Sequence, residues 1–178
     1  MRASFYDISV CSYLQILDGV SQVLKKGVLH FTELGRDVDA LLEERLAKDM
    51  LPLSFQLRSV MHHSLGALRG IEKGEFAPPP KLEESSFSGY QARIADTASA
   101  LRGYSRDDVN ALVGRTLVFS IGDREIPFTA ENFLLSFSLP NFHFHATTSY
   151  AILRAQGVPL GKQEIGRASC RERVYTKV

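Results

Sequence analysis

Three things are scarce in this chain: cysteine, long apolar runs and an excess of charge of either sign. Only Cys11 and Cys170 occur among 178 residues, too few for a disulfide framework. No apolar run approaches the roughly 18 residues that span a bilayer. The segment Met1 to Val10 carries Asp7 and no continuous hydrophobic stretch, so it does not read as a signal peptide. A cytoplasmic protein without a membrane anchor is the expectation. The 21 basic and 20 acidic residues leave a net charge of +1 and form no basic stripe, whereas phosphate binding needs clustered Lys and Arg. Nucleic acid is therefore not an expected partner. There is also no phosphate loop, no Cys-x-x-Cys pair and no Gly-x-Ser-x-Gly elbow.

The apolar share of 44% and charged share of 23% are those of an ordinary globular domain. Residues 1–164 read as that domain. From Ile165 to Val174 the chain runs Ile-Gly-Arg-Ala-Ser-Cys-Arg-Glu-Arg-Val, the translation of a sequencing adapter. Residues 165–178 are thus expected to be an adapter-derived or disordered tail. Without the tail a single cysteine remains, and Cys11 lies among Ile8 and Leu14 as a small core residue.

Hydrophobic periodicity supplies the elements. Ile8, Cys11, Leu14, Leu17, Val20, Val23 and Leu24 repeat at helical spacing up to Gly27. Asp37 to Lys48 reads as a short helix. Asp49 is a candidate cap before Leu51 and Pro52, and a helix follows to about Arg69. Gly70 to Lys81, with Pro78-Pro79-Pro80, reads as a connector. Glu83 and Glu84 then favour the start of a helix from Ser86 to Leu101, and Asp107 to Val113 adds a turn. The period next switches to that of strands: Arg115 to Ile121 and Arg124 to Phe128 flank Gly122-Asp123 as a β-hairpin, with Pro127 marking an edge strand. Thr129 and Asn132 open the last helical region, which passes Pro140 and stops at Gly157.

That last helix sets polar residues into an apolar stripe. At 100° per residue, Phe137, His145, Thr148 and Ile152 fall within about 40° of Asn141. His143 lies about 200° from His145 on the helix, so His143-Phe144-His145 is not a chelating pair and His143 faces outward. On the second helix, His62 lies toward Leu51 and Phe55, while His63 aligns with Gln56 on the opposite flank. An inward His145 needs a partner: a hydrogen bond to Asn141, Thr148 or a neighbouring helix, or a metal.

Several of these segments recur together in one family. They are Tyr6-Asp7, Arg45-Leu-Ala-Lys-Asp-Met50 with Pro52 and Gln56, Gln91-Ala-Arg-Ile-Ala95, and Leu139-Pro-Asn141. Phe144-His145, Thr148-Ser-Tyr150 and Gly157-Val-Pro-Leu-Gly-Lys162 complete the set. From Met1 to about Gln163 the chain resembles domain-of-unknown-function family nineteen ninety-three, a branch of the DinB/YfiT-like superfamily. The resemblance implies an all-α, DinB-like four-helix bundle with a small β-hairpin before the last helix. Better-known DinB-like relatives bind a divalent metal through one histidine of the second long helix and two, four residues apart, of the last. Some transfer thiols such as bacillithiol or mycothiol, or isomerise thiol adducts. Carried onto this chain, the last-helix positions fall on Asn141 and His145 and the second-helix position near His62 or His63. His62, Asn141 and His145 are the expected ligands, with Zn, Ni or Fe as the candidate metal.

Two readings follow. The leading one is a DinB-like bundle of unknown biochemical role, without a competent catalytic site and without a certain cofactor. The alternative is a metal-dependent thiol S-transferase or isomerase with His145 and His62 as ligands. Leu51 and Phe55, an apolar line beyond the bundle face of the second helix, predict a homodimer.

Overall fold

The computed structural model describes residues 3–79 and 85–165. The tail beyond Ile165, Glu83 and Glu84 lie outside the described residues. Helix α1 opens with a π-helical turn, Asp7–Cys11, and continues as Ser12–Glu33. A 3-10 turn, Asp39–Glu43, leads to α2, built from Leu53–Met61, a π-turn His62–Gly66 and Ala67–Lys73. Strand β1 is Glu75–Phe76; α3 is Phe87–Arg102 and α4 is Arg106–Asn110. Strands β2, Thr116–Ile121, and β3, Arg124–Thr129, precede α5. This last helix joins Ala130–Phe133, a π-turn Leu134–Ser138 and Leu139–Ala155.

Four long helices, α1, α2, α3 and α5, enclose the core. Helix α1 packs on α3 and α5, and α2 packs on the same two. Tyr13, Leu17, Val20, Leu24 and Phe31 are the buried line of α1, at the i, i+4, i+7 spacing of a helix face. Gly27 does not end this helix as its position suggests. A Cβ there would lie 2.9 Å from the Leu153 side chain, so the glycine lets α1 and α5 approach closely. The helix stops before Gly35, whose φ of 63° is left-handed.

The fold is mostly helical rather than all-α. A three-stranded sheet runs β1-β2-β3, with β1 parallel and β3 antiparallel to β2. The hairpin stands where the alternating residues put it, Thr116 opposite Thr129 and Ile121 opposite Arg124. Val118 donates its N–H to the Gly74 carbonyl at 3.0 Å, toward β1. Its partner Pro127 is therefore in a non-hydrogen-bonded pair, and the proline nitrogen faces outward. The missing N–H blunts the free edge of β3.

Other expectations needed correcting. Asp37 to Lys48 holds only the single 3-10 turn, although Leu41 and Leu42 are buried as a helix face would be. Asp49 caps nothing: α2 begins at Leu53 with Pro52 in the cap position and no side-chain cap bond. Thr129 and Ser86 do cap, accepting from the N–H groups of Asn132 and Gly89. The π-turn Leu134–Ser138 lies directly before Pro140. A proline cannot donate to the carbonyl four residues back and crowds it. Widening the preceding turn relieves that clash, so α5 runs through the proline unbroken.

Candidate functional site

The polar residues of α2 and α5 meet where these helices pack. Gln56, 2% exposed, is held inside by two bonds: its Nε2 donates to the Leu51 carbonyl at 2.8 Å, and its Oε1 lies 2.7 Å from His145 Nδ1. The partner that an inward His145 requires is thus a side chain of the neighbouring helix. The His145 ring also meets Phe55 edge-on at 5.9 Å, Phe144 at 5.3 Å, and His63 near-parallel at 5.8 Å and 16°.

It is His63, not His62, that lies against His145. His62 stacks on Phe76 at 4.3 Å, and its Nε2 sits 2.8 Å from the Ala77 carbonyl. The flank of α2 that carries Gln56 and His63 is the one turned to α5. Asn141 is half-buried on α5, and its Nδ2 donates to the Phe137 carbonyl at 2.7 Å. His143 is exposed, as its position opposite His145 predicts. It borders a cleft of about 120 Å³ on the other flank of α5, with Ile16, Val20, Val23, Ala146 and Tyr150. His145 does not line that cleft.

Two atoms beside the histidine pair lack partners. His63, 7% exposed, has a buried Nδ1 with no hydrogen bond, and Ser59, 1% exposed, has an unpartnered Oγ. On the α2 wheel Ser59 falls between Phe55 and His63, about 40° from each, on the side that meets His145. Burial keeps both rings neutral. Desolvation, with smaller contributions from His62 and His145, pushes His63 down to about 3, and desolvation pushes His145 down to about 4.

A second buried network ties the π-turns together. Ser138 Oγ donates to the His63 carbonyl at 2.7 Å, and the Tyr13 hydroxyl lies 2.8 Å from the same Oγ. With its one hydrogen committed to His63, Ser138 accepts from Tyr13. Gln56, Ser59, Ser138 and Tyr13 form the polar frame of the site, and sequence reasoning assigned none of them to it. The available signal was that Gln56 interrupts the apolar residues Leu53, Leu57 and Val60 of α2.

Asp7 and Cys11 are elsewhere. Asp7 accepts from Ser4 and pairs with Arg106 at 2.8 Å. Hydrogen bonds from Ser4 and Arg106 lower its carboxyl. Cys11 is half-buried, and burial raises its thiol.

The model of the domain of unknown function DUF1993 matches residues 5–165. The chain belongs to the DUF1993 family. Among solved structures, this DUF1993 chain is similar to the crystal structure of a DinB family member protein from Shewanella denitrificans. The two share 26% identity over 94% of each chain, with a TM-score of 0.77. Curated proteins give no match.

Proposed function

We propose that the protein is a DinB-like four-helix bundle whose His63–His145 centre works as a neutral, metal-free imidazole cluster. The donor set carries this reading. A DinB-type metal site needs a histidine from the second long helix and two from the last. Here the last helix supplies His145 and Asn141, and the Asn141 amide is tied to the Phe137 carbonyl. The second helix supplies His63, because His62 is engaged by Ala77. Only the two imidazoles are ligands that suit a transition metal; a neutral amide oxygen suits harder ions. With no carboxylate or thiolate, the set falls one short of the three protein ligands of a catalytic zinc-type site. Among the described residues no three His, Cys, Asp or Glu side chains group to hold a metal. The residues do not fit a resident metal, and no catalytic step is assigned to one.

One observation favours the alternative, a metal-dependent thiol enzyme: the unpartnered, buried His63 Nδ1. In that case His63 replaces His62 as a ligand beside His145. Elemental analysis of protein purified without an affinity tag separates the two readings. Far less than one metal ion per chain supports the neutral cluster, and a stoichiometric transition metal overturns it.

A homodimer in the cytoplasm goes with this reading. Of the apolar line that predicts an interface, Leu51 is 48% exposed, whereas Phe55 is half-buried against His145. Phe144, 54% exposed, adds apolar surface on α5. No described helix is long and apolar enough to cross a membrane.

A further inference from the structure

We infer that Gln56 is the positioning residue of this centre, locking His145 as the Nδ1–H tautomer so that Nε2 offers a bare lone pair. The inference rests on the neutral-cluster reading and follows from hydrogen-bond inventory. The Leu51 carbonyl can only accept, so the group of Gln56 facing it at 2.8 Å is the amide NH2. The other end of the amide, turned to His145 at 2.7 Å, is then the carbonyl oxygen, which also can only accept. The hydrogen between them belongs to His145 Nδ1. A neutral imidazole carries one ring hydrogen, so Nε2 has none.

The fold makes the lock stiff. Gln56 is 2% exposed and sits in the first turns of α2, five residues from the carbonyl that orients it. Turning the amide over, the arrangement that would serve an Nε2–H ring, would set the Gln56 oxygen against the Leu51 carbonyl oxygen and lose that bond. A histidine side chain in water prefers its hydrogen on Nε2, so the buried amide reverses the intrinsic preference. What the centre presents is an acceptor without positive charge. It suits an O–H or N–H donor and gives no attraction to a carboxylate or phosphate.

Long-range 1H–15N correlation on labelled protein at neutral pH reads the tautomer directly. In the wild type, His145 Nδ1 is expected at the chemical shift of a protonated ring nitrogen and Nε2 at that of an unprotonated one. Gln56→Leu removes the acceptor, and the ring should revert toward Nε2–H. Gln56→Glu retains an acceptor toward the ring and should keep Nδ1 protonated, as Gln56→Leu should not. A wild-type Nε2–H ring overturns the inference even if neither variant folds, and so does an unchanged tautomer in Gln56→Leu. A bound metal is distinguished from these failures: it moves the Nε2 resonance reversibly with chelator while Nδ1 keeps its hydrogen, defeating the metal-free reading and leaving the lock intact.

Discussion

Ser138 donates its hydroxyl hydrogen to the carbonyl of His63 across 2.7 Å, joining the π-turn of α5 to that of α2. Tyr13 of α1 completes the chain by donating to Ser138. A π-turn leaves carbonyls without their usual helical partners, and π-turns recur at functional sites. In this fold the side chain of one widened turn satisfies the backbone of the other.

The two ends of this chain should respond unequally. Ser138→Ala strands both the Tyr13 hydroxyl and the His63 carbonyl in the core, a loss on the order of 2–4 kcal/mol. Tyr13→Phe leaves the Ser138–His63 bond in place and should lose about 1 kcal/mol. Urea unfolding measures both. A Tyr13→Phe loss equal to or larger than that of Ser138→Ala would show that Ser138 is not the hub.

His145 and His143, two residues apart, should differ as sharply. His145→Ala removes the partner of the buried Gln56 oxygen and should cost about 2–3 kcal/mol. His143→Ala, at an exposed position, should stay within about 0.5 kcal/mol. Equal losses in chemical denaturation would contradict the facing assigned to α5.

Stability should fall on mild acidification. His63 and His145 are pushed from 6.5 down to about 3 and about 4 in the folded protein. Between the unfolded and folded values the unfolded chain binds more protons, so stability rises with pH. Contributions are complete above about pH 6.5 and are lost as pH falls toward 4, by up to about 1.4 kcal/mol per pH unit for each ring. Urea midpoints between about pH 7 and about pH 5 follow this slope. In a His63→Phe, His145→Gln double variant the slope should flatten, and an unchanged slope would assign the acid sensitivity elsewhere.

Much of the scaffold was legible from residue spacing. The four long helices, the Gly122-Asp123 hairpin and the Thr129 cap are where periodicity and turn chemistry put them. The stripes are so only in part: Ile8, Cys11, Leu14, Phe137 and Asn141 are only half-buried, and Val10, Tyr13, Phe142 and Ala146 are buried instead. Strand β1 was hidden because two residues, Glu75 and Phe76, carry no readable alternation, and only the close approach of Gly70 to Phe76 seats them. The facing of His145 followed from a 100° wheel, but the choice between His62 and His63 did not. Both flanks of α2 are apolar, and only the placement of α5 shows that the Gln56 flank is the inner one. The π-turns were illegible for a related reason: a wheel assumes 3.6 residues per turn throughout.

The most direct test of the neutral, metal-free cluster is the melting temperature of chelator-treated protein with added zinc, nickel or iron(II). A metal that binds the folded state raises the melting temperature by mass action. The account predicts the same melting temperature with and without each metal, in the wild type and in His63→Ala and His145→Ala alike. A saturable rise in the wild type that both alanine variants abolish would establish a metal site at this pair and contradict it.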